Sequence, residues 1–131
     1  MKKTGKGYLI DTNIIIDFFR NDAGLLNRLL NTEIYIPSIV VGELIYGANL
    51  TVQRETRLRE ILQFIDHYRV LSVDATTSRF YGEIKAQLKQ SGSPIPENDI
   101  WIAALSKQHS LILATRDRHF EKAKSIEVEY W

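Results

Sequence analysis

Tyr8-Leu9-Ile10-Asp11-Thr12-Asn13-Ile14-Ile15-Ile16-Asp17-Phe18-Phe19 decides the architecture. Three apolar residues, too few for a helix and without polar alternation, predict a short strand buried on both faces. Asp11-Thr12-Asn13 then turns the chain, and Ile14, Ile15, Phe18 and Phe19 recur at helical spacing. A strand that passes directly into an amphipathic helix is the opening unit of a parallel α/β fold.

The same grammar repeats downstream. Apolar runs at Ile34-Tyr35-Ile36, Val70-Leu71-Ser72-Val73 and Leu111-Ile112-Leu113-Ala114 predict further buried strands. Ile126-Glu127-Val128-Glu129-Tyr130 alternates, which predicts an edge strand with one wet face. Between them lie helical patterns. Leu58, Ile61, Leu62 and Ile65 form a stripe within residues 54–65, supported by the Glu55–Arg59 pair. Phe80, Tyr81, Ile84 and Leu88 mark a helix with Asp74 as N-cap, closed near Gly92. Asp22 is placed to cap a helix beginning at Ala23. The expected fold is therefore a three-layer α/β/α sandwich around a mainly parallel sheet of about five strands.

Length and composition fit this frame. A chain of 131 residues with 44% apolar and 25% charged residues is expected to form one domain spanning 1–131. No repeat, linker or low-complexity tract divides it. No apolar run approaches the roughly 20 residues that span a bilayer. The basic start, Met1 to Gly7, is followed by only Tyr8, Leu9 and Ile10 before Asp11, so no secretory signal is expected. The absence of cysteine excludes disulfides, thiolate metal sites and thiol nucleophiles, and makes cytoplasmic residence the default expectation. A net charge of +1 recommends neither nucleic acid nor an acidic partner, so any polyanion site must come from local clustering.

Twelve of the sixteen acidic residues lie where solvent, a cap or a pair explains them; Asp11, Glu43, Asp99 and Asp117 do not. Asp11 and Asp117 follow the first and fourth strands and should project over the same sheet edge. Glu43 interrupts Ile39-Val40-Val41-Gly42-Glu43-Leu44-Ile45-Tyr46, a helix apolar enough all round to be largely buried, where a lone carboxylate needs compensation. Asp99 opens the helix Asp99-Ile100-Trp101-Ile102-Ala103-Ala104-Leu105, with Asn98 as a candidate N-cap. Each acid alone also suits a turn, a cap or a helix start. Gathered at one end of a parallel sheet, they would repel one another and must take up protons or bind cations. Oxygen ligands favour Mg²⁺ or Mn²⁺, and such ions acidify water and shield a leaving oxygen, which points to phosphodiester hydrolysis. His67, His109 and His119 show no metal-ligand spacing and read as surface or packing residues.

Four motifs carry a resemblance: Leu9-Ile10-Asp11-Thr12-Asn13, Glu43-Leu44-Ile45-Tyr46-Gly47-Ala48, Asn98-Asp99-Ile100-Trp101-Ile102-Ala103-Ala104 and Leu113-Ala114-Thr115-Arg116-Asp117. In this order, across essentially the whole chain, the sequence resembles the PIN-domain ribonucleases and, among them, the VapC-type toxins of toxin–antitoxin pairs. The resemblance implies that Asp11, Glu43, Asp99 and Asp117 form an acidic quartet that holds the metal and carries catalysis. It implies that Thr12, Asn13 and Thr115 orient carboxylates or water. Asn13 and Thr115 suit that role chemically, although turn formation and N-capping explain them too. Arg116 stands where a small or amide residue is common; a substrate phosphate or solvent would account for it. The resemblance further implies Mg²⁺- or Mn²⁺-dependent cleavage of structured RNA such as tRNA or rRNA, inhibition of translation, a homodimer, and silencing by a cognate VapB-type antitoxin. Arg54, Arg57, Arg59, Lys85 and Lys89 offer compatible local positive charge, as would any solvated helix face.

Rival chemistries fit less well. An aspartate-nucleophile phosphatase needs a second acid at position 13, where Asn13 stands. Gly42 and Gly47 lack the Lys-Ser/Thr that completes a phosphate-binding loop. A catalytically inactive PIN-like interaction module would retain the fold without needing all four acids.

Overall fold

A computed structural model describes residues 7–131. The basic stretch Met1–Lys6, on which the expectation of no secretory signal partly rests, lies outside the described residues. The elements run β1 (Tyr8–Ile10), α1 (Thr12–Phe19), α2 (Ala23–Asn31), β2 (Ile34–Pro37), α3 (Ser38–Asn49), α4 (Arg54–Ile65), β3 (Arg69–Leu71), α5 (Ala75–Gln90), α6 (Glu97–Gln108), β4 (Ile112–Thr115), a 3₁₀ turn (Arg118–Lys122) and β5 (Val128–Tyr130).

The five strands form one sheet in the order β3-β2-β1-β4-β5, every neighbouring pair parallel. From β1 the chain first builds outward to β2 and β3, then crosses back to β4 and β5. Right-handed crossovers thereby place α1 to α4 on one face and α5 with α6 on the other, the expected α/β/α sandwich. The reversal falls between β1 and β4, whose register sets Leu9 opposite Leu113 and Ile10 opposite Ala114. In open parallel sheets the crevice beyond the carboxyl ends at such a reversal is where ligands bind. Asp11 extends this ladder by one bond, its N–H donating to the Ala114 carbonyl at 3.0 Å.

The core explains why such short strands suffice. Leu9, Ile10, Ile36, Leu113, Ile102 and Leu105 are fully enclosed, so the central strands and α6 bury apolar groups from both sides. Residues 102–106 of α6 are all buried, which makes it the innermost helix of its layer. Local caps follow the sequence. Asp74 accepts the Thr77 N–H at 3.0 Å while Thr77 Oγ1 accepts the Asp74 N–H at 3.0 Å, a reciprocal capping box on α5. Asp22 accepts the Gly24 N–H at 3.2 Å at the head of α2. Past α5, Gly92 takes a left-handed φ of 64°, which glycine adopts without a Cβ clash.

Several expectations need correction. α3 is not buried all round: Val40, Leu44 and Ala48 face inward at four-residue spacing, whereas Gly42, Tyr46 and Gly47 face solvent. Its apolar composition exceeds what its one packed face requires. The α4 stripe is narrower than predicted, with Leu62 half exposed beside buried Ile61 and Ile65. β3 begins at Arg69 and ends at Leu71 because its bounds follow pairing with β2, Tyr35 opposite Arg69 and Pro37 opposite Leu71. It is an edge strand, and only Leu71 is buried. β5 is the other edge, but Glu129 is not simply wet: it accepts from Tyr8 Oη and Trp131 Nε1, each at 2.9 Å. α6 begins at Glu97 after Pro96, so Asn98 lies in its first turn and is not the N-cap. Among the described residues no helix is long and apolar enough to cross a membrane.

Candidate active site

Asp11 leaves β1 in extended geometry and caps α1, its carboxylate accepting the Thr12 N–H at 2.8 Å. The other oxygen accepts from Thr115 Oγ1, at the end of β4, at 2.7 Å. With 5% of its surface exposed, Asp11 is the one buried acid among the described residues. Burial pushes its pKa up; the bonds from Thr115 and Thr12 oppose that, and the charges of Glu43 and Asp117 add to it.

Asp117 follows β4 by two residues, and its N–H donates to the same Thr115 Oγ1 at 3.0 Å. One buried hydroxyl thus orients the Asp11 carboxylate and pins the backbone of Asp117, joining the ends of β1 and β4. Asp117 also caps the 3₁₀ turn, accepting the His119 N–H at 2.9 Å.

Glu43 reaches the crevice from α3. The compensation its setting demands comes from neutral donors: Thr12 Oγ1 at 2.5 Å on one oxygen and Asn98 Nδ2 at 3.3 Å on the other. Asp99 enters from the first turn of α6. Its pKa is pushed up to about 7, first by burial, then by the charges of Asp11, Asp117 and Glu43, with His119 opposing. The four predicted acids therefore converge electrostatically on one site, although they are spread over 107 positions of sequence. Among the described residues no lysine or arginine forms an ion pair with any of them.

The supporting residues divide. Thr12 and Thr115 bond directly to carboxylates of the site. Asn13 does not: its Oδ1 accepts the Arg116 N–H at 3.4 Å and ties α1 to the exit of β4. Arg116 is turned away from the crevice, with Nη1 bonded to Asp17 at 2.8 Å and Asp22 at 2.9 Å and Nε to the Trp131 carbonyl at 2.8 Å. The guanidinium is therefore not simply solvated: it clamps the α1–α2 corner to the C-terminus. Asp22, below the usual carboxylate range chiefly through that bond, is its partner as well as a cap.

His119 is the residue that sequence reading missed. Its Nδ1 lies 3.0 Å from Asp117 Oδ1 and 3.8 Å from Asp99 Oδ2. Potential ligand atoms of Asp99, Asp117 and His119 all fall within 4.8 Å of one another, a tighter group than the quartet, with Asp11 and Glu43 alongside. The only local signal is the Asp-x-His spacing, which places a ring near a carboxylate when a tight turn follows the acid. Carboxylate oxygens with one imidazole suit a hard or borderline divalent cation.

A family model for the PIN domain matches residues 8–126 of the chain. The chain belongs to the PIN-domain family. Ribonuclease VapC2 of Haemophilus influenzae is 34% identical over 128 residues, covering 95% of this chain and 97% of that protein. The tRNA(fMet)-specific endonuclease VapC of Shigella flexneri is 31% identical over the same shares. The crystal structure of DNA-bound VapBC from Salmonella typhimurium aligns with a TM-score of 0.89 at 32% identity, over 96% of this chain and 98% of that one. The family resemblance and the sandwich expected from sequence are both borne out.

Proposed function

We propose that this chain is a VapC-type toxin, a Mg²⁺- or Mn²⁺-dependent endoribonuclease that cuts structured RNA, tRNA foremost, and so inhibits translation. The observation that carries the reading is four carboxylates at the sheet's reversal point with neutral hydroxyl and amide donors but no lysine or arginine among the described residues to balance them. Asp11, Glu43, Asp99 and Asp117 would hold the cation. When bound, it supplies an acidified water and a counter-charge for the leaving oxygen.

The protein's own contribution is placement. Thr115 holds Asp11 and the Asp117 backbone, and Thr12 and Asn98 hold Glu43, so the carboxylates are oriented before a cation arrives. Asp117 is partly exposed and His119 exposed, so the site is open to solvent on that side.

The neutralising partner is read as a VapB-type antitoxin. A groove of about 340 Å³ between α1, α3 and α4 offers apolar Ile16, Phe19, Leu44 and Ile61 together with charged Arg20, Glu43, Arg57 and Glu60, a mixed lining that suits a peptide segment of a partner. The solved Salmonella relative is a VapBC complex. A homodimer, a single domain over 1–131 and a cytoplasmic setting complete the reading.

The test is incubation of the purified chain with labelled tRNA and total RNA plus Mg²⁺ or Mn²⁺. Discrete cuts are expected, lost with chelator, with Asp11→Asn and with Asp99→Asn. Cuts that persist in both variants would refute the assigned site.

A further inference from the structure

We propose that His119 is a nitrogen ligand of the cation held by Asp99 and Asp117, and that it biases the site toward Mn²⁺ over Mg²⁺. This rests on the cation-dependent reading above and extends it, since a nitrogen ligand widens the preference that oxygen ligands alone would set.

The placement is built in. His119 is the second residue of the turn that Asp117 caps, and its own N–H is bonded to Asp117 Oδ1 at 2.9 Å. The next residue, Phe120, is fully buried, which anchors the turn against the core. Ring and carboxylate are therefore held together by backbone. Adjacent ligands around an octahedral ion with bonds of about 2.1 Å stand roughly 3 Å apart, and opposite ones about 4.2 Å. Nδ1 lies 3.0 Å from Asp117 Oδ1, at the adjacent spacing, and 3.8 Å from Asp99 Oδ2, a few tenths of an ångström short of the opposite one. Half of the His119 side chain is exposed, leaving the ring free to adjust by the few tenths of an ångström that ligation requires.

The other two histidines cannot serve. His67 Nδ1 is 2.8 Å from the Gln63 carbonyl beyond α4, and His109 caps the far end of α6, 10 residues from Asp99. Any imidazole on the cation must come from His119. Mg²⁺ prefers oxygen and binds imidazole poorly, whereas Mn²⁺ accepts it, so the ring contributes selectivity. The competing role is a protonated counter-ion to Asp117, which an arriving cation would displace rather than bind.

Pulsed EPR separates the two, with Mn²⁺ alone as the probe, one equivalent on the full chain without RNA. Directly coordinated imidazole gives ¹⁴N modulation of the Mn²⁺ echo. The modulation is expected in the unaltered protein and in His67→Gln, and should vanish in His119→Ala. Titration should show Mn²⁺ affinity falling about tenfold or more in His119→Ala while Mg²⁺ affinity changes less than about threefold. Bound Mn²⁺ without nitrogen modulation, or modulation that survives His119→Ala, overturns this assignment and leaves the carboxylate site standing. Failure of the unaltered chain to bind Mn²⁺ at all overturns the cation reading and this inference with it.

Discussion

Asp99→Asn should make the cation-free protein more stable at pH 8 and change it little near pH 4. In the folded chain the Asp99 pKa is pushed up to about 7 from an ordinary 3.8 by burial and by Asp11, Asp117 and Glu43. Between those values the native state keeps a proton that the unfolded chain has released. The stability contributed by protonated Asp99 is thus complete below pH 4 and is lost as pH rises through about 7. Each pH unit of separation is worth ~1.4 kcal/mol, which sets a ceiling of about 4 kcal/mol at pH 8. Water and salt reach a crevice whose Asp99 side chain keeps 14% of its surface exposed, and screening reduces this to about 2 kcal/mol. Loss of an acid from the first turn of α6 takes back a few tenths.

The asparagine variant cannot ionise, so urea unfolding in chelator should show it ahead by about 1–2 kcal/mol at pH 8, or about 5 °C in Tm, with the gap closing near pH 4. Excess Mg²⁺ should reverse the order at pH 8: binding at a hundred times Kd adds about 2.7 kcal/mol to the unaltered protein, and the variant loses most of it. An equal gain at both pH values would mean that Asn packs better there, and no gain at pH 8 would mean that the carboxylates do not strain one another. Either result would refute the electrostatic account.

Thr115→Val removes the hydroxyl shared by Asp11 and the Asp117 N–H while keeping the shape of a fully buried side chain. Urea unfolding should show a loss of about 1.5–3 kcal/mol at pH 8, shrinking as acid protonates Asp11, whose pKa burial pushes up, and RNA cleavage should fall with Mn²⁺ binding. Arg116→Met breaks the clamp to Asp17, Asp22 and the Trp131 carbonyl; Tm should drop while cleavage at low temperature and its salt dependence stay unchanged. A normal Tm with weakened RNA binding would make Arg116 a phosphate contact.

The parts of this molecule legible in its sequence are those where a local pattern and a global constraint coincide. Tyr8-Leu9-Ile10 followed by Asp11 is readable because a central parallel strand must be apolar on both faces, so the first polar residue marks its carboxyl end. The same logic holds for Asp117 after β4, and the sheet's reversal between those strands brings the two ends together. Glu43 is readable as an anomaly, an acid on an apolar helix, but not its partners. Thr12 and Asn98 lie 31 and 55 positions away on other helices, and only packing shows that the compensation is neutral donors and not a cation.

The same distinction separates Arg116 from His119. An arginine beside a catalytic carboxylate invites a substrate role until its partners are seen, and Asp17 and Asp22 sit more than 90 positions earlier, at a corner that no spacing rule connects to β4. His119 failed in the opposite direction: its contact with Asp117 is local, but a tight turn carries no 3.6- or 2-residue period from which a facing direction can be read. Its approach to Asp99 then depends on α6, which precedes β4 in the chain, setting its first turn beside the Asp117 turn. A sequence thus exposes an acidic site through the cost of burying charge, which every acid bears wherever it lies, and conceals the groups that relieve that cost, because any donor brought near by the fold can do so. Removing such a reliever should therefore disturb Asp11, Glu43 or Asp99 more than its own neighbourhood suggests, and Thr115→Val is the sharpest instance because one hydroxyl both donates to the Asp11 carboxylate and holds the Asp117 backbone.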